Sequence, residues 1–212
     1  MMVRVKICGV TNWSDAKLAM DAGANALGFN FYPPSPRYVT PAQGRRIVSR
    51  LPARVEAVGV FVDEPFAVVD EIARAVDLDF VQLHGNESPE MVADFAHSYR
   101  VIKAFRVRPD FRAAVLGRYG EAAAFLLDGF SRRAAGGTGK PFDWRIARQA
   151  KRYGRIILAG GLRPENVAQA ILEVRPYAID VCSGVEAKPG RKDPKRLREL
   201  MRQVEAANRQ LQ

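Results

Sequence analysis

The sequence predicts an α/β fold, a single-domain (β/α)8 (TIM) barrel with short loops that takes in residues 1–212. Three observations carry that expectation. Eight short apolar or β-branched runs recur along the chain, stretches of helical character lie between and after them, and no linker or composition break separates two halves. Strands that alternate with helices run parallel, because each return must cross a face of the sheet. Eight such units in one domain suit a closed barrel, for which about 250 residues is typical. At 212 residues there is little room for decoration. A doubly wound open sheet is the structural competitor.

The strand runs fall at 3–8, 26–31, 55–62, 79–83, 100–105, 124–128, 155–159 and 178–182. Between the first two, Asp15 to Ala22 carries apolar residues at 16, 18, 19 and 22, close to helical spacing. Thr40 suits an N-cap with Pro41 at the first helical position. Glu64-Pro65 opens a third helix, Ser88-Pro89-Glu90 a fourth, Arg163-Pro164-Glu165 a seventh and Asp193-Pro194 the last. The fifth helical stretch, around 110–118, has the weakest pattern.

A composition of 48% hydrophobic and 26% charged residues belongs to a globular chain. Its length suffices to bury a core without disulfide or metal staples. No apolar run approaches the roughly 20 residues that span a bilayer. The start, MMVRVKICG, lacks the apolar stretch and cleavage site of a secretory signal. Cys8 and Cys182 stand at opposite ends of the sequence, which is no disulfide framework, so reduced thiols in the cytoplasm are expected. A formal charge of +10 favours anionic partners. Much of it sits in the tail segment KPGRKDPKRLRELMRQ and in scattered arginines such as Arg45, Arg46 and Arg132, which reads as solvated surface. Aromatics are not interleaved with basic residues in the way that stacks bases, so neither nucleic acid nor a membrane is an expected partner.

In such a barrel the chemistry collects at the C-terminal ends of the strands. Those positions hold Cys8, Asn30, Asp63, Gln82 with His84, Arg106, Asp128 and Ser183. The turn LAGGLRPENV places Gly160-Gly161 after the seventh strand, and DVCSGVEAKPG places Ser183-Gly184 after the eighth. Barrels often hold a phosphate with these two loops, and glycine lets the backbone approach the anion. A third cluster, AAGGTGKPFDW at 134–144, departs from the P-loop at Ala134 and Pro141, and a mobile cover over a ligand fits it better. No dinucleotide fingerprint follows the first strand. Asp128 ends an apolar run, where a carboxyl with a raised pKa can act as a general acid or simply cap a turn. Period-2 alternation puts Arg4, Lys6 and Cys8 on one face, opposite Val5 and Ile7. With that face inside the barrel, Lys6 needs a carboxylate, and Asp180 on the eighth strand is the expected partner. Taken alone, Cys8 reads as a small buried residue and His84 as a hydrogen-bonded packing residue.

Together KICGVT, GFNFYPPSPRYV, VQLHG, LLDGF…GGTGKPFDW, LAGGLRPENV and DVCSGVE resemble the phosphoribosylanthranilate isomerase family, in order and from about Val3 to Leu200. The resemblance implies an Amadori rearrangement in tryptophan biosynthesis. N-(5′-phosphoribosyl)anthranilate becomes 1-(2-carboxyphenylamino)-1-deoxyribulose 5-phosphate without metal or organic cofactor. By the same resemblance Cys8 is the general base and Asp128 the general acid. Arg37 in SPRYV matches the anthranilate side of the substrate, Gln82 and His84 the supporting strand end, and Gly160, Gly161, Ser183 and Gly184 the phosphate cradle. Lys6, or the helix beginning near Ser14, would lower the pKa of the Cys8 thiol. The expected partner is the phosphosugar–anthranilate substrate, and the protein is a monomer or homodimer. The alternative is another phosphosugar barrel, such as the histidine-pathway aminoaldose isomerase. That enzyme resembles a protein with two phosphate sites and a pair of aspartates, whereas here the first strand ends in Cys8 and the first half lacks a matching glycine-rich turn.

Overall fold

Eight parallel strands close on themselves in sequence order in the computed structural model, which describes residues 2–129 and 142–212. They are β1 (Arg4–Ile7), β2 (Ala26–Asn30), β3 (Glu56–Phe61), β4 (Phe80–Leu83), β5 (Val101–Val107), β6 (Ala124–Gly129), β7 (Ile156–Ala159) and β8 (Ala178–Val181). Each run read from the sequence overlaps one of them, and β5 and β6 continue past their runs to Val107 and Gly129. The open sheet is excluded by the last pairing: β8 lies parallel to β1, from Arg4 against Ala178 to Ile7 against Val181.

The helices are α1 (Trp13–Asp21), α2 (Pro41–Val48), α3 (Phe66–Val76), α4 (Pro89–Ala96), α5 (Trp144–Ala150), α6 (Val167–Val174) and α7 (Pro194–Gln210). Their starts follow the capping chemistry. Thr40 accepts from the Gln43 N–H and Gln43 answers on the Thr40 N–H, while Ser88 and Asp193 cap α4 and α7. Three expectations are corrected. The stretch after β5 is a 3-10 turn, Ala113–Arg118, and not an α-helix. The helix expected from Arg163 begins at Val167, because Asn166 Oδ1 takes the Arg163 N–H and holds the intervening residues as a turn. Asp143 and Trp144, read as the end of the glycine-rich loop, instead cap and begin α5. Residues 134–141 of that loop lie outside the described residues.

The tail segment is also less solvated than its charge suggests. A small antiparallel hairpin, β9 (Glu186–Lys188) with β10 (Arg191–Lys192), follows β8. Lys192 is buried there, and the hairpin is tied to the loop after β1 through Thr11 Oγ1 on Gly190 O and to the first turn of α1 through the Lys192 N–H on Asp15.

Period 2 sorts the strand side chains into two cores. Outward residues such as Ile7, Leu27, Phe61, Leu83 and Phe125 meet the helices, while Val58, Phe80, Ile102, Leu126 and Ile157 fill the barrel. On β1 the inward face is Lys6, 3% exposed, with its Nζ 3.0 Å from Asp180 Oδ2, so the partner read from the sequence is the one found. Glycine at 28 makes the space for it. A Cβ there would stand 2.8 Å from Cys8 Sγ and 3.0 Å from Lys6 Nζ.

Candidate active site

A cavity of about 290 Å³ opens at the C-terminal ends of the strands. Every site residue named from the sequence lines it: Cys8, Arg37, Gln82, His84, Asp128, Gly160, Gly161, Ser183 and Gly184. Asn30, Asp180 and Cys182 join them. Asp63 and Arg106, also at strand ends, line a neighbouring cavity of about 680 Å³ that, among the described residues, shares only His84 with the first.

The carboxyl side of the site is built from β4 and β6. Asp128 stands near the end of β6, and His84 Nε2 lies 3.6 Å from its Oδ2. Gln82 Nε2 is 2.8 Å from His84 Nδ1. An amide NH₂ can only donate, so this assignment makes Nδ1 the acceptor and puts the neutral ring's hydrogen on Nε2, toward Asp128. Gln82 is 1% exposed and its Oε1 has no partner among the described residues. The same is true of Asp180 Oδ1, and both residues line the cavity.

The thiol side is built from β1, β8 and the hairpin. The Cys8 N–H donates to Val181 O at 2.9 Å, which extends the β1–β8 pairing by one residue and sets Cys8 beside Cys182. The Cys182 thiol, opposed by burial and helped by Lys6 and Lys192, holds the Cys8 thiol well below its ordinary value. Cys182 moves the other way: Cys8 and burial push it well above. Lys6 supports Cys8 as expected, but the α1 N-terminus is already occupied, with Asn12 Oδ1 accepting the Asp15 N–H. Burial pushes the Asp180 carboxyl up to about 7 against the pull of Lys6, and burial's downward pull on Lys6 is more than offset by Asp180 and Cys8 together.

Arg37 reaches the cavity but not as an open cation. Its Nε donates to Glu186 Oε1 at 2.9 Å and its Nη2 to Oε2 at 2.6 Å, a two-point pair that raises its pKa further. Lys192 Nζ meets the same carboxylate at 3.1 Å and the Cys8 carbonyl at 2.6 Å. Glu186, Lys192 and Cys182 escaped the sequence reading. Cys182 and Glu186 stand in DVCSGVE, whose glycine and serine carry the loop signal, and nothing in the sequence marks Lys192 as buried.

The two glycine-bearing loops meet at the cavity's other side. Gly160 and Gly161 have φ of +83° and +69°, left-handed values that favour glycine. Asn166 Nδ2 fixes their turn through Gly161 O at 3.0 Å, and a side chain at Gly184 would run into the Leu162 carbonyl. Ser183 and Gly184 begin the short 3-10 turn Ser183–Val185.

Comparison with known proteins places these features in a family. Residues 5–203 match the family model of N-(5'-phosphoribosyl)anthranilate (PRA) isomerase. An N-(5'-phosphoribosyl)anthranilate isomerase from Pelobacter propionicus is 51% identical over 201 residues, 95% of each chain. The solved structure of the phosphoribosyl anthranilate isomerase from Thermotoga maritima superposes with a TM-score of 0.90 at 42% identity, covering 97% of this chain and 100% of that one. Another, a phosphoribosyl anthranilate isomerase in complex with reduced 1-(o-carboxyphenylamino)-1-deoxyribulose 5-phosphate, gives 0.87 at 41% identity over the same shares.

Proposed function

The chain belongs to the N-(5'-phosphoribosyl)anthranilate isomerase family, and from that premise we propose that it catalyses the Amadori rearrangement of N-(5′-phosphoribosyl)anthranilate in tryptophan biosynthesis, with Asp128 as acid and Cys8 as base. The observation that carries the residue roles is the cavity, which brings a thiol held ready to ionise, a carboxyl and two glycine-bearing loops to one rim of the barrel.

The chemistry asks for one proton given and one removed. Asp128, in its protonated form, gives its proton to the ribose ring oxygen as the C1′–O4′ bond breaks and the anilino nitrogen lone pair forms C1′=N⁺. Cys8, as thiolate, takes the C2′ proton; the C–H electron pair forms C1′=C2′ and the nitrogen regains its lone pair. The enolamine then gains a proton at C1′ while the 2′-hydroxyl loses one, leaving the 2′-ketone. His84 orients the Asp128 carboxyl, and Gln82 fixes the His84 ring. The backbone at Gly160, Gly161, Ser183 and Gly184 receives the 5′-phosphate. Arg37, shared with Glu186, faces the anthranilate carboxylate.

The test follows anthranilate fluorescence while the substrate is generated in situ. Wild type turns over, and absence of activity sinks the function. Cys8→Ala and Asp128→Asn should each lower kcat by about 10²-fold or more, the range of positioned acid–base groups, with unchanged circular dichroism. Full turnover by Cys8→Ala sinks the base assignment.

A further inference from the structure

One lysine stands where the period of its strand calls for an apolar residue. Lys103 shares the helix-facing side of β5 with Val101, Phe105 and Val107, and the register sets it beside Leu83 of β4. It is 2% exposed, as is Glu87 in the loop after β4, and the two meet at 2.7 Å. A pair buried this deeply adds little stability over apolar side chains of similar size, because desolvating both charges offsets their attraction. What it supplies is direction. Lys103 Nζ donates to Glu87 Oε2, to Gly85 O at 2.9 Å and to Ala104 O at 3.1 Å, with Leu83 O at 3.5 Å. Glu87 Oε1 accepts from the Gly85 N–H and the Asp63 N–H, each at 3.0 Å. Asp63 is thereby held at φ +53°, a left-handed value that needs support outside glycine. One ion pair thus joins the ends of β3, β4 and β5.

The residue so clamped is the one that follows His84. Both backbone groups of Gly85 end on the pair, and the His84 N–H donates to Phe61 O at 2.8 Å. We infer that Glu87 and Lys103 are positioning residues for His84: by fixing the backbone from which its ring projects, they set the 3.6 Å approach of Nε2 to Asp128 Oδ2. The inference rests on the reading of Asp128 as the acid that His84 orients, and it says what holds His84 in place. Gln82 fixes the ring from one side, and the ion pair fixes the chain beneath it. Neither charge lines the cavity that holds Asp128. Glu87 and Lys103 line the neighbouring one, so the route from the pair to the acid runs through His84, which lines both.

The test is a double-mutant cycle on kcat. Glu87→Leu is combined with Lys103→Met, because either change alone strands a buried charge. Glu87→Asp is the second variant, which keeps both charges but draws the carboxylate back by one methylene. Each is made in wild type and in His84→Ala, and circular dichroism confirms the fold. In wild type the combined change should lower kcat by about tenfold. KM should change little, since the glycine-bearing loops follow β7 and β8 and not β4. In His84→Ala the same change should cost nothing further, and Glu87→Asp should follow the pattern to a smaller extent. Where His84→Ala itself lowers kcat, a wild-type kcat in the pair variants overturns the inference, and so does an equal fall in both backgrounds. A second readout needs no turnover. The chain has two histidines, so ring-15N labelling gives two sets of signals, with His97 at the exposed end of α4 as the control. The pair variants should move the His84 signals and leave those of His97, and unmoved His84 signals overturn the inference. If they move while His84→Ala keeps full kcat, the hold on His84 stands and its orienting of Asp128 is what fails.

Discussion

Glu186 joins the two sides of the barrel mouth, accepting from Arg37 on one flank and from Lys192 Nζ on the other. Burial pushes its carboxyl up, but the two cations more than reverse this and leave it below its ordinary value of 4.5. A carboxyl held lower in the folded state binds fewer protons there than in the unfolded chain between the two values, so stability rises with pH across that window. The contribution is complete above 4.5 and is lost as pH falls through the lowered value. Glu186→Gln should flatten the acid side of a plot of urea midpoint against pH, and a variant with the wild-type slope would show that the carboxylate is not linked to folding. Residues of this kind were hidden in the sequence for a physical reason. Cys8 and Asp128 stand at the ends of apolar runs, where barrel topology singles out a polar residue as a candidate. Glu186 and Lys192 sit in a charged tail segment, and charge by itself does not tell a buried pair from a wet one.

The strands were legible because parallel strands in a barrel are covered on both faces and read as short apolar runs. Helix starts were legible where a capping side chain makes its bond, as at Thr40, Ser88 and Asp193. They were misplaced where local polar bonding competes with the helix, as at Asn166, which spends its side chain on the Arg163 N–H and Gly161 O and delays α6. That delay leaves the turn after β7 open toward the cavity. Gly161 is exposed with φ +69°, and a Cβ built on it meets nothing within 4 Å. Gly161→Val therefore places its side chain in the space proposed for the phosphate, besides straining a left-handed residue by about 1–2 kcal/mol. The expected outcome is a KM raised severalfold with kcat less affected, since the phosphate is held alike before and during the reaction. An unchanged KM would remove this loop from the cradle. Gly184 is the less informative position, because a side chain there strikes the Leu162 carbonyl and disturbs both loops at once.

Closure is the property of the whole molecule that no local pattern encodes. The sequence set Cys8 and Cys182 at opposite ends, and the eight runs implied a ring only by their number. Once β8 pairs with β1, the two thiols, Lys6 with Asp180, and Arg37 with Glu186 all become neighbours. The ring is also tied at its other end. Asn208, near the end of α7 and 5% exposed, accepts the Val3 N–H on Oδ1 at 2.8 Å and donates from Nδ2 to Val3 O at 3.2 Å. One side chain thus satisfies both backbone groups of the residue that leads into β1, where water has little access. Asn208→Ala leaves a buried donor and a buried acceptor unpaired at about 1–3 kcal/mol each, so a loss of about 2–6 kcal/mol is expected. It should lower the urea midpoint without altering the denaturant slope, because the same surface is exposed on unfolding. The cavity lies at the opposite ends of the strands, so kcat and KM of the folded variant at 25 °C should match wild type. A loss under about 0.5 kcal/mol would mean that the chain ends are held by the apolar contacts of α7 alone, through Leu197, Leu200 and Val204.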